Sequence, residues 1–201
     1  MSPKIVDKEE KRNLILESAL RVFAKFGMAN TKMVQIAEAA GIGKGTIYEY
    51  FKSKDELAVS AFNVFVKEAQ VQIERKINRI EDPAEQLRTY ITSWIDIMNE
   101  DFLDYADIML DIWAEGVRLH EGKDIFGLNK MYALYRKQII AILSNGIEKG
   151  IFKEMNTTVT SAIIIGTMDG IMIQWLLDKN LFQVGPALEQ LAEMIVCGVR
   201  K

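Results

Sequence analysis

The sequence predicts an all-α protein: a small N-terminal helix-turn-helix head joined by a long helix to a larger helical-bundle body. Apolar residues recur at three- and four-residue intervals through most of the 201 residues. No segment keeps the period-two alternation of a half-buried strand, and the three prolines, at positions 3, 83 and 186, all fall at element starts. A chain of this length that is 49% hydrophobic can fold on its own core. Its single cysteine, Cys197, excludes an internal disulfide framework and any multi-cysteine zinc site.

The first helix is expected over residues 6–26, where Ile15, Ala19, Val22, Phe23 and Phe26 share one face and Gly27 stops it. A second covers residues 34–40, with small Ala37 and Ala40 allowing a neighbour to approach. Gly41 ends it at a position where a left-handed backbone favours glycine. The chain restarts at Gly45-Thr46-Ile47-Tyr48-Glu49-Tyr50-Phe51. Small Ala37, turn Gly41 and apolar Ile47 are the set that a helix-turn-helix needs for a steep crossing. Stepping 100° per residue puts Ile47 and Phe51 toward the core, Gly45 and Glu49 directly outward, and Thr46, Tyr48 and Tyr50 on the flanks. An outer face of glycine and hydrogen-bonding groups suits close approach. The next helix opens on Ser53-Lys54-Asp55-Glu56, a capping box whose free amides, with Lys54, make an anion site.

The stretch IAEAAGIGKGTIYEYFKSKDEL resembles the DNA-binding signature of the TetR family of bacterial transcriptional regulators. The likeness runs from about Leu14 to Leu57, and continues more weakly through Gly146-Ile147-Glu148-Lys149-Gly150-Ile151-Phe152 and Met168-Asp169-Gly170. The resemblance implies DNA contacts at Lys44, Thr46, Tyr48 and Tyr50 and a phosphate contact at Lys54, with Thr31 opening the first helix of the motif. With the outward Gly45 and Glu49 these make the candidate DNA-binding set. Gly43 stands where the family often has Ser, and Glu49 where an aromatic or neutral polar residue is frequent. Nucleotide-binding readings of the same glycines fail. Gly41-x-Gly43-x-Gly45 is not G-x-G-x-x-G and follows a helix, and Gly43-Lys44 is not followed by Ser or Thr.

The body continues in order. Residues 53–80 read as a long helix with Leu57, Ala61, Phe62, Phe65, Ala69, Ile73 and Ile77 on one face. Asp82-Pro83 starts the next as N-cap and first residue, with Ile91, Trp94, Ile95 and Met98 as its stripe. Residues 102–117 follow with Leu103, Ile108, Ile112 and Trp113, and then a connection around Gly122, His120 and Gly127. Residues 128–149 carry Met131, Leu134, Tyr135, Ile139, Ile142 and Leu143, and Gly150 ends them. Thr157 or Thr158 opens a helix to about residue 178, and Gly185-Pro186 introduces the last, for about nine helices in all.

Residues 159–177 form the most apolar window, long enough to suggest a membrane span, but Asp169 and Gln174 are costly in lipid. Ala162, Gly166 and Gly170 repeat every four positions and permit close helix contact. The choices are a buried core helix or a subunit interface. TetR-like proteins pair through their last two helices, so the resemblance favours an interface of Ala162, Gly166, Asp169, Gly170 and Ile173. Glu100, Asp104, Asp107, Asp111 and Glu115 make one acidic helix face, read as solvated. Trp94, Met98, Met109, Trp113, Met131, Tyr135, Met168, Met172 and Trp175 read either as adaptable core packing or as the walls of a ligand pocket. The resemblance tips this toward a pocket, for which Trp94, Met98, Met109, Trp113, Met131, Tyr135, Met172 and Trp175 are the candidates. Neither a metal site nor a cofactor is expected. His120 is the only histidine, no Cys–His pair is near Cys197 in sequence, and no Ser sits in a nucleophile elbow, so the protein is not expected to be an enzyme.

Charge supports a polarised molecule. Residues 1–55 hold ten Lys or Arg against seven Asp or Glu, while the rest holds fifteen against twenty-one. The expected domains are 1–53 for DNA binding and 54–201 for ligand binding and dimerisation. The N-terminal run is charged and without an apolar signal region, which points to the cytoplasm. What the resemblance implies is a homodimer that binds a palindromic double-stranded DNA operator and is released by a small, largely apolar molecule, with repression favoured over activation. Two rivals are a DNA-binding head whose body binds a protein partner, and a helical enzyme.

Overall fold

The computed structural model describes residues 8–97, 109–111, 113–114 and 127–201. Its helices are α1 (Lys8–Phe26), α2 (Met33–Ala39), α3 (Lys44–Tyr50), α4 (Lys54–Ile77), α5 (Pro83–Ile97), α6 (Leu128–Glu148), α7 (Thr157–Leu177) and α8 (Val184–Val199). Residues 109–111 and 113–114 are also helical. The expected helix over 102–117 otherwise lies outside the described residues, as do Met98, His120, Gly122 and all of the acidic face except exposed Asp111. Among the described residues the one extended pairing is an isolated antiparallel bridge between Phe152 and Arg200.

The described residues of Met1–Lys67 and Glu100–Leu128 form one compact unit, and those of Glu68–Asn99 and Asn129–Lys201 a second. This division runs through α4 rather than at residue 53.

In the first unit α1 packs on α2 and α2 on α3. The core is the expected one: Ile15, Ala19, Phe23, Ile36, Ile47, Phe51 and Leu57 are all buried. Phe26 departs from expectation and is 41% exposed. It sits on the last turn beside the Gly27 stop, where the ring lies under the Lys25 ammonium. Gly27 (φ +74°) and Gly41 (φ +66°) take the left-handed backbone that the sequence reading asked of Gly41. The α4 cap is half of the expected box. Ser53 Oγ accepts from the Glu56 amide at 3.1 Å, but the Glu56 carboxylate accepts from Lys52 N, not from Ser53 N.

In the second unit α5 lies on α8, and α7 on α8. The Asp82 carboxylate accepts from Ala84 N at 3.0 Å and starts α5 as expected. Arg88 on α5 pairs with Glu193 on α8 at 2.6 Å. The inner side of α5 is set by Ala84, Leu87, Tyr90, Ile91 and Ile97, while Trp94 and Ile95, expected at its centre, are half-buried. Met131, Tyr135, Ile139, Ile142 and Leu143 of α6 are buried, but Leu134 is exposed. The cap of α7 is Asn156, whose side chain accepts from Val159 N, so neither Thr157 nor Thr158 is used. On α8, Gln183 precedes the first turn, and Gly185 and Pro186 lie within that turn, where a missing N–H is harmless. The C-terminus is pinned to the α6–α7 turn: Lys153 N donates to Val199 O at 3.0 Å and Lys201 N to Ile151 O at 3.2 Å.

Candidate nucleic-acid interface and interior polar cluster

The turn between α2 and α3 closes through Ile42 N to Ala37 O at 2.9 Å and Gly41 N to Glu38 O at 3.0 Å. Gly43 then caps α3 with extended backbone and no side-chain acceptor. From that start Ile47 points inward at 0% exposure, which aims the other side of α3 at solvent. Lys44, Gly45, Tyr48 and Glu49 are exposed, Thr46 and Tyr50 half-buried on the flanks. A Cβ placed on Gly45 would meet nothing within 4 Å, so no part of the fold requires this glycine for room. The face is therefore open, shallow at its centre, and bordered by an ammonium, two phenols, a hydroxyl and a carboxylate. Those groups can donate to and accept from base edges.

Two residues of the candidate set are engaged inside the unit. Thr31 is 3% exposed, and its hydroxyl donates to Gly27 O at 2.8 Å. It closes the α1–α2 turn, so its side chain is not free for the DNA contact expected of it. Lys54 turns back as well: its ammonium donates to Met28 O at 2.7 Å and Ala29 O at 3.1 Å. One of its three protons stays available to a phosphate. Lys54 thus ties the start of α4 to the turn that precedes α2. Sequence spacing could not show this, because the partners are carbonyls 25 and 26 residues away.

The second unit contains a polar cluster on α5, α6 and α7 that the sequence reading saw only in part. Tyr132 donates to the Asp169 carboxylate at 2.9 Å. The Tyr135 ring stands edge-on to Trp94 (centroids 5.3 Å, 82°) and to Tyr132 (6.2 Å, 79°). Burial pushes the Asp169 carboxyl up to about 6, against a smaller opposite pull from the Tyr132 hydrogen bond. Burial also raises Tyr90, Tyr132 and Tyr135, and the Asp169 charge raises each further, so all three phenols stay protonated. Trp94 Nε1 is buried without a hydrogen-bond partner among the described residues. Of the expected pocket residues, Trp94 and Tyr135 belong to this cluster, and Met131 and Met172 are buried on the same two helices, α6 and α7. Trp175 is half-buried under the Lys179 ammonium. Met109 and Trp113 belong to the other unit, and Met98 lies outside the described residues. Tyr90 and Tyr132 were missed. The available signal was aromatic pairs at helical spacing, Tyr90–Trp94 and Tyr132–Tyr135.

The far side of α7 is apolar and open. Val159, Ala162, Ile163, Gly166, Ile173 and Leu177 are exposed, Ile163 by 57% and Leu177 by 82%. Added Cβ atoms on Gly166 and Gly170 would meet nothing, so the stripe is flat along its middle. Met194, Cys197 and Gly198 are exposed on α8. Asp169 borders this stripe. Half-buried at its edge, it holds its carboxylate against Tyr132 on α6. Among the described residues α7 is the one helix long and apolar enough to cross a membrane. Ser161, Ile164, Ile165, Met168 and Met172 nonetheless bury one side of it in the unit.

Residues 15–61 match the family of bacterial regulatory proteins, tetR family, and residues 60–198 match the C-terminal region of YsiA-like proteins. The fatty acid metabolism regulator protein of Bacillus subtilis (strain 168) is 24% identical over 193 residues, covering 96% of this chain and 97% of that protein. The fold is shared with a regulator from Saccharomonospora viridis solved in complex with choline (TM-score 0.83, 24% identity, 96% of this chain and 100% of that one). It is shared too with FadR from Bacillus subtilis in complex with stearoyl-CoA (TM-score 0.73, 22% identity, 94% and 99%).

Proposed function

The chain belongs to the tetR family of bacterial regulatory proteins, and from that premise we propose a dimeric, ligand-responsive repressor of transcription. Residues 1–53 would bind DNA and residues 54–201 would bind the ligand and the second subunit. The observation that carries the reading is the open face of α3. Its buried anchor, Ile47, holds Lys44, Gly45, Tyr48 and Glu49 outward, with Thr46 and Tyr50 on the flanks. In a helix-turn-helix this is the helix that enters the major groove.

Two copies are needed for a palindromic operator, because one seven-residue helix reads too few base pairs. The exposed stripe of α7, with Met194 of α8, is the surface proposed for pairing. A flat glycine-bearing strip lets two helices approach closely, and a stable pair needs roughly 800 Å² from each partner. A small, largely apolar molecule in the second unit then favours a head spacing that does not fit successive grooves. It acts only through the difference in its affinity for the two states. The relatives solved with choline and with stearoyl-CoA make a small-molecule effector the favoured class over a protein partner. Such a protein works where the DNA is, in the cytoplasm.

Selection of binding sites from a random duplex pool by the full-length protein tests the reading. The expected product is an inverted repeat with half-sites about one helical turn apart. Recovery of no common sequence at physiological salt would overturn it.

A further inference from the structure

We infer that the cluster of Tyr90, Trp94, Tyr132, Tyr135 and Asp169 is a recognition site for an organic cation, an ammonium headgroup carried on an apolar chain. The inference rests on the ligand-responsive reading above and names the class of ligand.

The charge balance comes first. Asp169 is a half-buried carboxylate whose described partner is a neutral phenol. The ion pairs found among the described residues join Lys76–Asp96, Arg88–Glu85, Arg88–Glu193 and Arg200–Asp82; none includes Asp169. Burial opposes its ionised form, and among the described residues the Tyr132 hydrogen bond is what offsets that opposition. An arriving cation would supply the missing counter-charge.

The rings come second. Tyr135 stands edge-on to both Trp94 and Tyr132, at 82° and 79°, so neither pair stacks face to face. A diffuse ammonium charge within about 6 Å of an aromatic face is attracted to it, most strongly when desolvated. Trp94 Nε1, buried and without a partner among the described residues, is a donor that a hydroxyl or ester oxygen next to the ammonium would satisfy. Met131 and Met172, buried on the same helices, are adaptable neighbours for an alkyl chain.

Other ligand chemistries fit less well. A carboxylate ligand would face Asp169 across low-dielectric surroundings. A metal ion needs several hard donors, and no group of three His, Cys, Asp or Glu side chains gathers among the described residues. In the physiological range Asp169 is the group of this cluster that titrates. Tyr90 on α5 and Tyr132 and Tyr135 on α6 are held neutral, and Arg136, the nearby cation on α6, acts on Tyr132.

The test uses the full-length protein with three probes of one chain length: octyltrimethylammonium, octanol and octanoate. Calorimetry should show the ammonium binding at least about tenfold tighter than octanol, with octanoate weakest. Its affinity should fall as pH drops from 7 to 5. Asp169→Asn keeps an acceptor for Tyr132 and should lose most of the ammonium preference and its pH dependence, leaving octanol unchanged. Asp169→Glu should recover part of the preference, and Tyr132→Phe should keep it. No ammonium binding, equal binding of ammonium and octanol, or a preference that survives Asp169→Asn would overturn the inference. Operator occupancy separates the two readings. If octanol or octanoate releases operator and the ammonium does not bind, ligand response stands and the cation site falls. If the ammonium binds through Asp169 without altering occupancy, the site stands and the ligand response falls.

Discussion

Gly146→Ala pits two effects of opposite sign against each other. In the last turns of α6 an alanine should be more helix-favouring than glycine by up to about 1 kcal/mol. Against this, a Cβ at 146 would lie 2.0 Å from Phe152 Cδ2, 2.3 Å from Cε2 and 2.7 Å from Cγ. Ordinary contact begins near 3.4 Å, so the ring must retreat by more than an ångström. It has little room to do so. Phe152 is 0% exposed, its amide donates to Gly146 O at 3.0 Å, and it pairs with Arg200. Its neighbours on both sides are tied to the C-terminal residues. The clash should therefore cost at the upper end of overpacking, about 3 kcal/mol, for a net loss of about 2 kcal/mol. Thermal unfolding at fixed protomer concentration should show Tm lowered by about 4–8 °C. Adding Phe152→Leu should make the double variant less destabilised than the sum of the singles. An unchanged or raised Tm for Gly146→Ala would refute the packing argument, because the helix term would then be acting alone.

Three further substitutions bear on DNA and subunit contacts. Lys54→Ala removes two hydrogen bonds to the α1–α2 turn as well as a charge. It should lower stability by about 1–2 kcal/mol and weaken specific and random duplex by a similar factor, with the log–log salt slope smaller by about one per head. An unchanged slope in salt titrations removes its phosphate role. Glu49→Gln should raise affinity for random duplex, since a carboxylate repels phosphates. It should also relax choice at one base pair per half-site by about 1–3 kcal/mol. Competition with single-base operator variants checks it, and an unchanged ranking refutes base reading by Glu49. Gly166→Leu should give monomers in sedimentation and lose operator binding while the heads stay folded. A fully dimeric variant would move the interface elsewhere.

The fold was legible where backbone chemistry is local. Gly27, Gly41 and Gly150 end helices with φ of +74°, +66° and +70°, and Asp82-Pro83 starts one, all from residue type and position. The buried stripe of α1 and the inward Ile47 followed from the 100° step alone. Tertiary partners did not. Phe26 and Leu134 fit their stripes by spacing yet are exposed, because a stripe says which way a side chain points and not where the neighbouring helix ends. Lys54 looked like a free cation at a helix start until the fold brought two carbonyls to it. Asp169 was read with its glycine neighbours as part of a contact surface. Its partner lies 37 residues away on another helix, and no pattern within α7 points there.

That contact gives α7 two sides with different work. One side carries the open stripe of Val159, Ala162, Ile163, Gly166 and Ile173; the other buries Met168 and Met172, and Asp169, at the edge between them, reaches Tyr132 on α6. Asp169 lies three residues from Gly166, less than one helical turn. A rigid helix cannot shift its inner side to suit a ligand without moving its outer side by a similar distance. Under the dimeric reading, subunit pairing and ligand binding are therefore linked through one element, and the linkage is reciprocal. Whatever factor the ligand applies to dimer geometry, pairing must apply to ligand affinity. The monomer expected from Gly166→Leu should accordingly bind octyltrimethylammonium with an affinity different from that of the parent dimer. Equal affinities in monomer and dimer would mean that α7 does not couple the two, and that any signal to the DNA-binding heads leaves the cluster by α5 or α6.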